Sequence, residues 1–303
     1  MANALLPNVA YGRAVATLFH SITSHTTPGA ASRKGIGTHN YYRSPRNYIR
    51  RMATSTSQVD PSSPPDDRYI IWLDIDNTLY SASSKISQEM GKRIHAYFVE
   101  LGFPDDEATE LHHKYYTQYG LALRGLVRHH HVDPLDFDRK CDGSLPLEEM
   151  IKPDPGLRKL LEDIDRSKAR VWALTNAYRN HAYRVLKILK VEDLIEGVVY
   201  CDYAEPNFSC KPEQQFFENA MKKAGITDPS KCLFVDDSRT NVNAAYNLGW
   251  GSCVHFCEQG MEVVEGGKVK EISNNGVELP PGIKVISRLE ELRSVWPYVF
   301  KNP

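Results

Sequence analysis

Five apolar runs punctuate the chain between residues 69 and 256, and each gives way abruptly to polar residues. The first, Tyr69-Ile70-Ile71-Trp72-Leu73, shows no polar alternation, which predicts a strand buried on both faces of a parallel sheet. Ala169 to Leu174, Gly197 to Cys201, Lys231 to Val235 and Gly251 to Phe256 read the same way. Helical patterns fill the gaps, over Arg179 to Leu189, Pro212 to Ala224 and Asn241 to Asn247. Strands alternating with helices predict an α/β fold built on a doubly wound parallel sheet with a Rossmann-like core.

One gap is too long for a crossover. Ser83 to Met150 is helix-patterned, rich in Tyr and His, and holds no strong strand candidate, so it predicts a helical domain inserted after the first strand. The expected organisation is a leader and linker over 1–67, an α/β core over 68–82 and 151–303, and the insert over 83–150. Within the core, Gly260 to Pro303 has a turn-rich patch, Ser273-Asn274-Asn275-Gly276, then Ile283 to Ile286 and a helix-like Leu289 to Val295. That order predicts a hairpin, an edge strand and a closing helix.

The leader is different material. Met1 to Val59 contains no Asp or Glu but carries seven Lys and Arg, with Val15, Leu18, Phe19 and Ile22 on one helical face. This fits a mitochondrial presequence, and equally a disordered basic tail. Met52, just after Arg50-Arg51, also fits a true start. The compartment is accordingly intracellular, cytoplasmic or mitochondrial. Gln58 to Asp67 is a Pro-, Ser- and Asp-rich linker, so folding is expected to begin near Arg68.

Charge and cysteine usage narrow the class. Against 37 Lys and Arg stand 38 Asp and Glu, a net charge of -1, which argues against a nucleic-acid polymer as partner. No run of eighteen apolar residues exists, so no membrane span is expected. The six cysteines match neither a disulfide framework nor a zinc ribbon and read as reduced thiols. Cys253 and Cys257 flank Val254-His255-Phe256, which reads as core rather than as a metal pair.

Ligands in open α/β sheets sit at the carboxyl ends of the strands. After the first strand comes Asp74-Ile75-Asp76-Asn77-Thr78-Leu79-Tyr80. Residues two apart in extended backbone project alike, and two close carboxylates repel unless a cation lies between them or one holds a proton. Magnesium, a hard ion that prefers oxygen ligands, meets that need. After the second strand, Thr175 and Asn176 offer a hydroxyl and a carboxamide near a helix start, where exposed amides favour phosphate. In isolation they read as an N-cap pair. Lys211 precedes Pro212, which predicts a cation at the mouth of a helix that Pro212 opens. After the fourth strand, Asp236-Asp237-Ser238 repeats the pattern of paired acids, and in isolation reads as capping.

In this order, strand-DxDNT, strand-TN, KP-helix and strand-DDS resemble the four signature motifs of the haloacid dehalogenase superfamily, over about Tyr69 to Phe256. The resemblance implies that Asp74 is the nucleophile of a phosphatase working through an aspartyl-phosphate. Asp76 is then the acid and base, and Lys211, Thr175 and Asn176 bind phosphate. Mg2+ is expected on the Asp74 carboxylate, the Asp76 carbonyl and Asp236, and the insert becomes a helical cap domain. Asp237 is expected to act through a metal-bound water or by orienting Lys211, with Asn241 assisting either.

Asp74 to Tyr80, Tyr119 to Leu126 and Ser144-Leu145-Pro146-Leu147 further resemble the fungal pyrimidine 5'-nucleotidase group. That implies a small-molecule phosphate ester as partner, a nucleoside monophosphate such as UMP or CMP. Another small phosphate ester, a sugar phosphate or lysophosphatidic acid, is the alternative, as are a phosphotransferase and a non-catalytic binding protein of the same fold. His112, His113, Tyr115, Tyr116, Tyr119 and Arg124 offer contacts to a base or ribose, or pack the insert's own helices. His129-His130-His131 suggests a metal site or, more simply, solvated loop residues.

Overall fold

The computed structural model describes residues 66–273 and 279–301, so the readings of the leader, most of the linker and Asn274 to Gly276 fall outside the described residues. Six strands form one parallel sheet: β1 (Tyr69–Leu73), β2 (Ala169–Leu174), β3 (Gly197–Val199), β4 (Cys232–Asp236), β5 (Ser252–Phe256) and β8 (Lys284–Ile286). Their order across the sheet is β3-β2-β1-β4-β5-β8. The chain winds outward from β1 through β2 to β3, then returns to β4 and winds the other way. The reversal lies between β1 and β4, and crevices at such switch points are where open α/β sheets bind ligands.

Alternation along the strands accounts for two cores. Ile70 and Trp72 of β1, Trp172 and Leu174 of β2, and Phe234 of β4 point to one face. Ile71 and Leu73, Val171 and Ala173, and Leu233 and Val235 point to the other. Large aromatics fill the first core, where the Trp72 and Trp250 rings stack with centroids 5.8 Å apart and Trp172 meets Trp72 at 5.7 Å. Helices α8 (Gln214–Ala224) and α9 (Arg239–Asn247) cover that face, and α6 (Pro155–Glu162) and α7 (Arg179–Leu189) cover the other.

Between β1 and α6 stand five α-helices: α1 (Ile86–Glu100), α2 (Asp105–Tyr119), α3 (Ala122–His129), α4 (Pro134–Lys140) and α5 (Leu147–Met150). Phe98, Tyr115, Leu123 and Phe137 form a continuous apolar interior with the first core. All six cysteines are buried and free, and burial pushes the Cys253 thiol up to about 12.

Two expectations need correction. Helix α8 starts at Gln214 with Glu213 as N-cap, so Pro212 precedes the helix instead of opening it. The hairpin also turns elsewhere. Strands β6 (Glu262–Glu265) and β7 (Lys268–Glu271) pair antiparallel around Gly266-Gly267, both at positive φ. A two-residue loop of that geometry matches strand twist, and two glycines adopt it without strain. The closing helix is a 3-10 turn, Leu289–Glu291, running into the single turn of α10 (Leu292–Val295). Among the described residues no helix is long and apolar enough to cross a membrane.

Candidate active site

Sheet register brings the motif residues together. Leu73 pairs with Ala173 on one side and Val235 on the other, so the next residues along, Asp74, Leu174 and Asp236, share the carboxyl edge of the sheet. The Asp74 amide donates to the Val235 carbonyl at 3.0 Å, which carries the ladder up to the site itself.

Lys211 enters this edge from the segment before α8 and is 1% exposed. Its ammonium donates to Asp74 Oδ1 at 2.6 Å, Asp236 Oδ2 at 2.6 Å and the Leu174 carbonyl at 2.7 Å. Three acceptors match the three donors an ammonium has. The pair of carboxylates keeps the amine charged, raising it above the usual lysine range against the cost of burial.

Asn176 fixes that lysine from outside. Its carboxamide accepts from the Lys211 amide at 2.7 Å and donates to the Lys211 carbonyl at 2.8 Å, so the side chain expected to hold phosphate grips backbone instead. Thr175 is buried, and its hydroxyl accepts from the Ala177 amide at 3.0 Å. Asn241 donates to both oxygens of Asp236, at 3.1 and 3.3 Å, and the Ser238 amide adds a bond of 2.8 Å.

Asp74, Asp236 and Asp237 each place a carboxylate oxygen within 4.8 Å of the others. Burial, opposed by Lys211 and reinforced by the neighbouring acids, pushes Asp74 up to about 7. Asp237 is raised well above the carboxylate range by burial and by Asp74 and Asp236. Three convergent hard oxygens with more negative charge than one ammonium offsets form a donor set suited to a magnesium-type ion. Asp237 thus shares the carboxylate cluster, while Lys211 is held by Asp74, Asp236 and Leu174.

The Asp76 side chain sits apart from that cluster. Asn77 adopts a left-handed conformation at φ 54°, and the turn that follows folds Thr78 and Tyr80 back on the two aspartates. The Thr78 hydroxyl donates to Asp74 Oδ2 at 3.0 Å, and the Tyr80 hydroxyl to Asp76 Oδ1 at 2.7 Å. His181, near the start of α7, places Nε2 2.7 Å from the same Asp76 oxygen. Burial opposes ionisation of Asp76, but the His181 charge and the two hydrogen bonds outweigh it and hold the carboxyl below its usual range. His181 in turn is raised to about 9, Asp76 overcoming the effect of burial.

None of Thr78, Tyr80 and His181 is evident from the apolar patterning. The two hydroxyls were detectable in principle, each four residues beyond an aspartate. His181 lies 105 residues from Asp76 and carries no local signal.

The site opens into a cavity of about 720 Å3, walled by core, insert and hairpin. His112, His113 and Tyr116 of α2 reach it, as do Glu265 and Lys270 of the hairpin. The other insert candidates are engaged elsewhere. Tyr115 and Tyr119 hydroxyls lie 2.7 Å from His130 Nε2 and His129 Nε2, and Arg124 pairs with Glu213 at 2.7 and 3.1 Å. Two members of the histidine triplet are therefore partners of tyrosines.

His112 supplies a pH test. It is 3% exposed, stacked near Phe98, and burial with the nearby His95 and His113 lowers it from 6.5 to about 4. The unfolded chain binds this proton below 6.5 while the folded chain refuses it, so stability is whole above 6.5 and falls toward pH 4. The loss is about 3 kcal/mol. Denaturant unfolding at pH 7 and pH 4 should show His112→Phe losing less stability than the parent by that amount; equal losses would contradict the assignment.

Comparison with known proteins bears on the family and the fold. Phosphate metabolism protein 8 of Saccharomyces cerevisiae is 40% identical over 213 residues, 66% of either chain. A phosphorylated carbohydrates phosphatase of Thermotoga maritima is 25% identical over 125 residues, 40% of this chain and 56% of that one. The chain thus spans just under two thirds of the first relative's length and little over half of the second's. CbbY from Rhodobacter sphaeroides, solved in complex with phosphate, aligns over 74% of this chain and 96% of its own. The TM-score is 0.50 and the identity 15%, a likeness of fold alone. Residues 70–249 match the family model described as haloacid dehalogenase-like hydrolase, and the chain belongs to that family.

Proposed function

We propose that this protein is a phosphatase that hydrolyses small phosphate monoesters through a covalent phosphoryl group on Asp74, most readily pyrimidine nucleoside 5'-monophosphates. One observation carries the chemistry. A buried carboxylate at the sheet switch point is flanked by a fixed ammonium and two further acids, at the floor of a cavity large enough for a small ligand.

Asp74 Oδ1 and Oδ2 are held by Lys211 and Thr78, which aim the carboxylate and keep it from rotating. A carboxylate approaching a phosphate dianion meets repulsion of several kcal/mol at about 4 Å, even at an effective dielectric near 20. Lys211 offsets part of this. Magnesium, held by Asp74, Asp236, Asp237 and the Asp76 carbonyl, supplies the remaining positive charge when bound. The backbone amides near Thr175 and Asn176 bind the other phosphate oxygens. Attack on phosphorus forms the Asp74 acyl phosphate and expels the alkoxide, to which Asp76 donates a proton. Asp76, again a carboxylate, then takes a proton from the water that releases phosphate. Its depressed pKa suits the second half, where the carboxylate must be ionised; in the first half the negative charge of the bound phosphate ester favours its protonated form, and that proton goes to the leaving oxygen.

The insert over 83–150 acts as a cap that excludes water and selects the leaving group. His112, His113 and Tyr116 line the cavity and offer stacking and hydrogen bonds to a base. The resemblance of the DxDNTLY run to pyrimidine nucleotidases supports the substrate assignment, and the name of the yeast relative, phosphate metabolism protein 8, supports phosphate chemistry in general. Phosphate release from UMP, CMP, sugar phosphates and lysophosphatidic acid tests it. Higher kcat/KM for UMP and CMP is expected; good turnover of a sugar phosphate with poor turnover of both nucleotides would sink the substrate reading and leave the chemistry standing.

Metal binding has its own readout. At magnesium about 100-fold above its Kd, the folded state gains about 2.7 kcal/mol, roughly 5–10 °C in Tm. Asp236→Asn should lose most of that gain. A Tm unmoved by magnesium in the parent would remove the ion from the proposal.

A further inference from the structure

The acid and base of the proposed reaction is aimed by a residue from another element. We infer that His181 is the positioning residue for Asp76, fixing its carboxylate so that one oxygen is anchored and the other is presented to the leaving group and to water. The inference rests on the assignment of Asp76 as acid and base.

Both donors to Asp76 converge on a single atom. His181 Nε2 and the Tyr80 hydroxyl each lie 2.7 Å from Oδ1, and Oδ2 has no hydrogen-bond partner among the described residues. The Asp76 side chain is 31% exposed and lines the cavity, whereas the His181 side chain is 2% exposed. A carboxylate tied at one oxygen by two donors cannot rotate freely about its terminal torsion, which is otherwise broad and two-fold. Asp76 belongs to the turn after β1, and that turn carries only Tyr80 to hold it. His181 comes from α7, whose packing beneath the sheet through Ala182, Val185 and Leu186 makes it a rigid mount. Proton transfer requires the acceptor within hydrogen-bond reach of its proton, and an ångström of misplacement costs about 100-fold.

p-Nitrophenyl phosphate separates this role from others, because its leaving group needs no proton. His181→Leu should form the Asp74 phosphoenzyme at the parental rate but release it about 10- to 100-fold more slowly, so phosphoenzyme accumulates and kcat falls with KM for magnesium-loaded enzyme falling or unchanged. His181→Gln, which returns a donor near the Nε2 position, should recover most of the release rate. Asp76→Asn/His181→Leu should be no slower than Asp76→Asn. A purely structural role predicts instead less phosphoenzyme per mole of protein, no rescue by Gln, and losses that add in the double variant; any of these overturns the inference. Asp76→Asn alone distinguishes the foundation: if it releases phosphate at the parental rate, the assignment of Asp76 itself fails.

Discussion

Asp74→Asn is expected to abolish turnover, by roughly 10⁴-fold or more, while leaving the fold intact. The carboxamide has the shape of the carboxylate and still accepts from Thr78 or Lys211, but its nitrogen cannot become an acyl phosphate. Stability should not suffer, because Asp74 in its parental form is a buried acid crowded by Asp236 and Asp76. Removing one negative charge relieves that repulsion. Circular dichroism and thermal unfolding check the fold, and phosphate release checks the chemistry. Activity within tenfold of the parent would contradict the role of Asp74.

Lys211→Met should damage stability and activity together. The ammonium is the shared partner of two buried carboxylates and of the Leu174 carbonyl, so its loss strands all three. Breaking a buried pair by deleting one partner costs about 3–5 kcal/mol, a large share of the 5–15 kcal/mol typical of a whole domain. The sign with pH follows from the carboxylates. Asp74, already raised to about 7 by burial, rises further once the cation is gone, so the deficit is larger at pH 8 and shrinks as Asp74 protonates toward pH 5. Turnover should fall about 10³-fold, the scale for losing a preorganised charge at a reacting oxyanion. Unfolding curves at pH 8 and pH 5, with and without magnesium, test the first part. A variant with parental stability at pH 8 would show that Lys211 is not the counter-ion described.

Much of the site was readable because its parts are punctuation. Unbroken apolar runs as short as Tyr69 to Leu73, alternating with helical patterns, read as strands buried on both faces, and the acids that end them then sit at a sheet edge. Asp74, Asp236 and Lys211 meet where that reasoning, with the motif order, expects them. What escaped was partner choice. The carboxamide of Asn176 could face a ligand or the chain, and only the path of the segment before α8 decides for the Lys211 backbone. Asp237 could turn to the lysine or to the other acids, and the start of α9 turns it to the acids.

The insert shows the same limit. On α2, His112, His113 and Tyr116 reach the cavity while Tyr115 and Tyr119 turn to histidines at the end of α3. Both sets are aromatic and polar, so periodicity alone cannot tell which face meets the ligand. The hairpin was misplaced for a related reason. Gly266-Gly267 is as strong a turn signal as Ser273-Asn274-Asn275-Gly276, and pairing of Glu265 with Lys268 puts the turn of this hairpin there.

The covalent phosphoryl group is the most direct point of test. Asp76→Asn enzyme with magnesium, quenched in acid soon after mixing with p-nitrophenyl phosphate and digested, should yield a peptide spanning Asp74 that is heavier by one phosphoryl group, about 80 Da. The mass should vanish in Asp74→Asn/Asp76→Asn. Turnover with no such adduct at any quench time, and inversion of configuration at a chiral phosphorus, the mark of a single direct displacement by water, would contradict a nucleophilic Asp74.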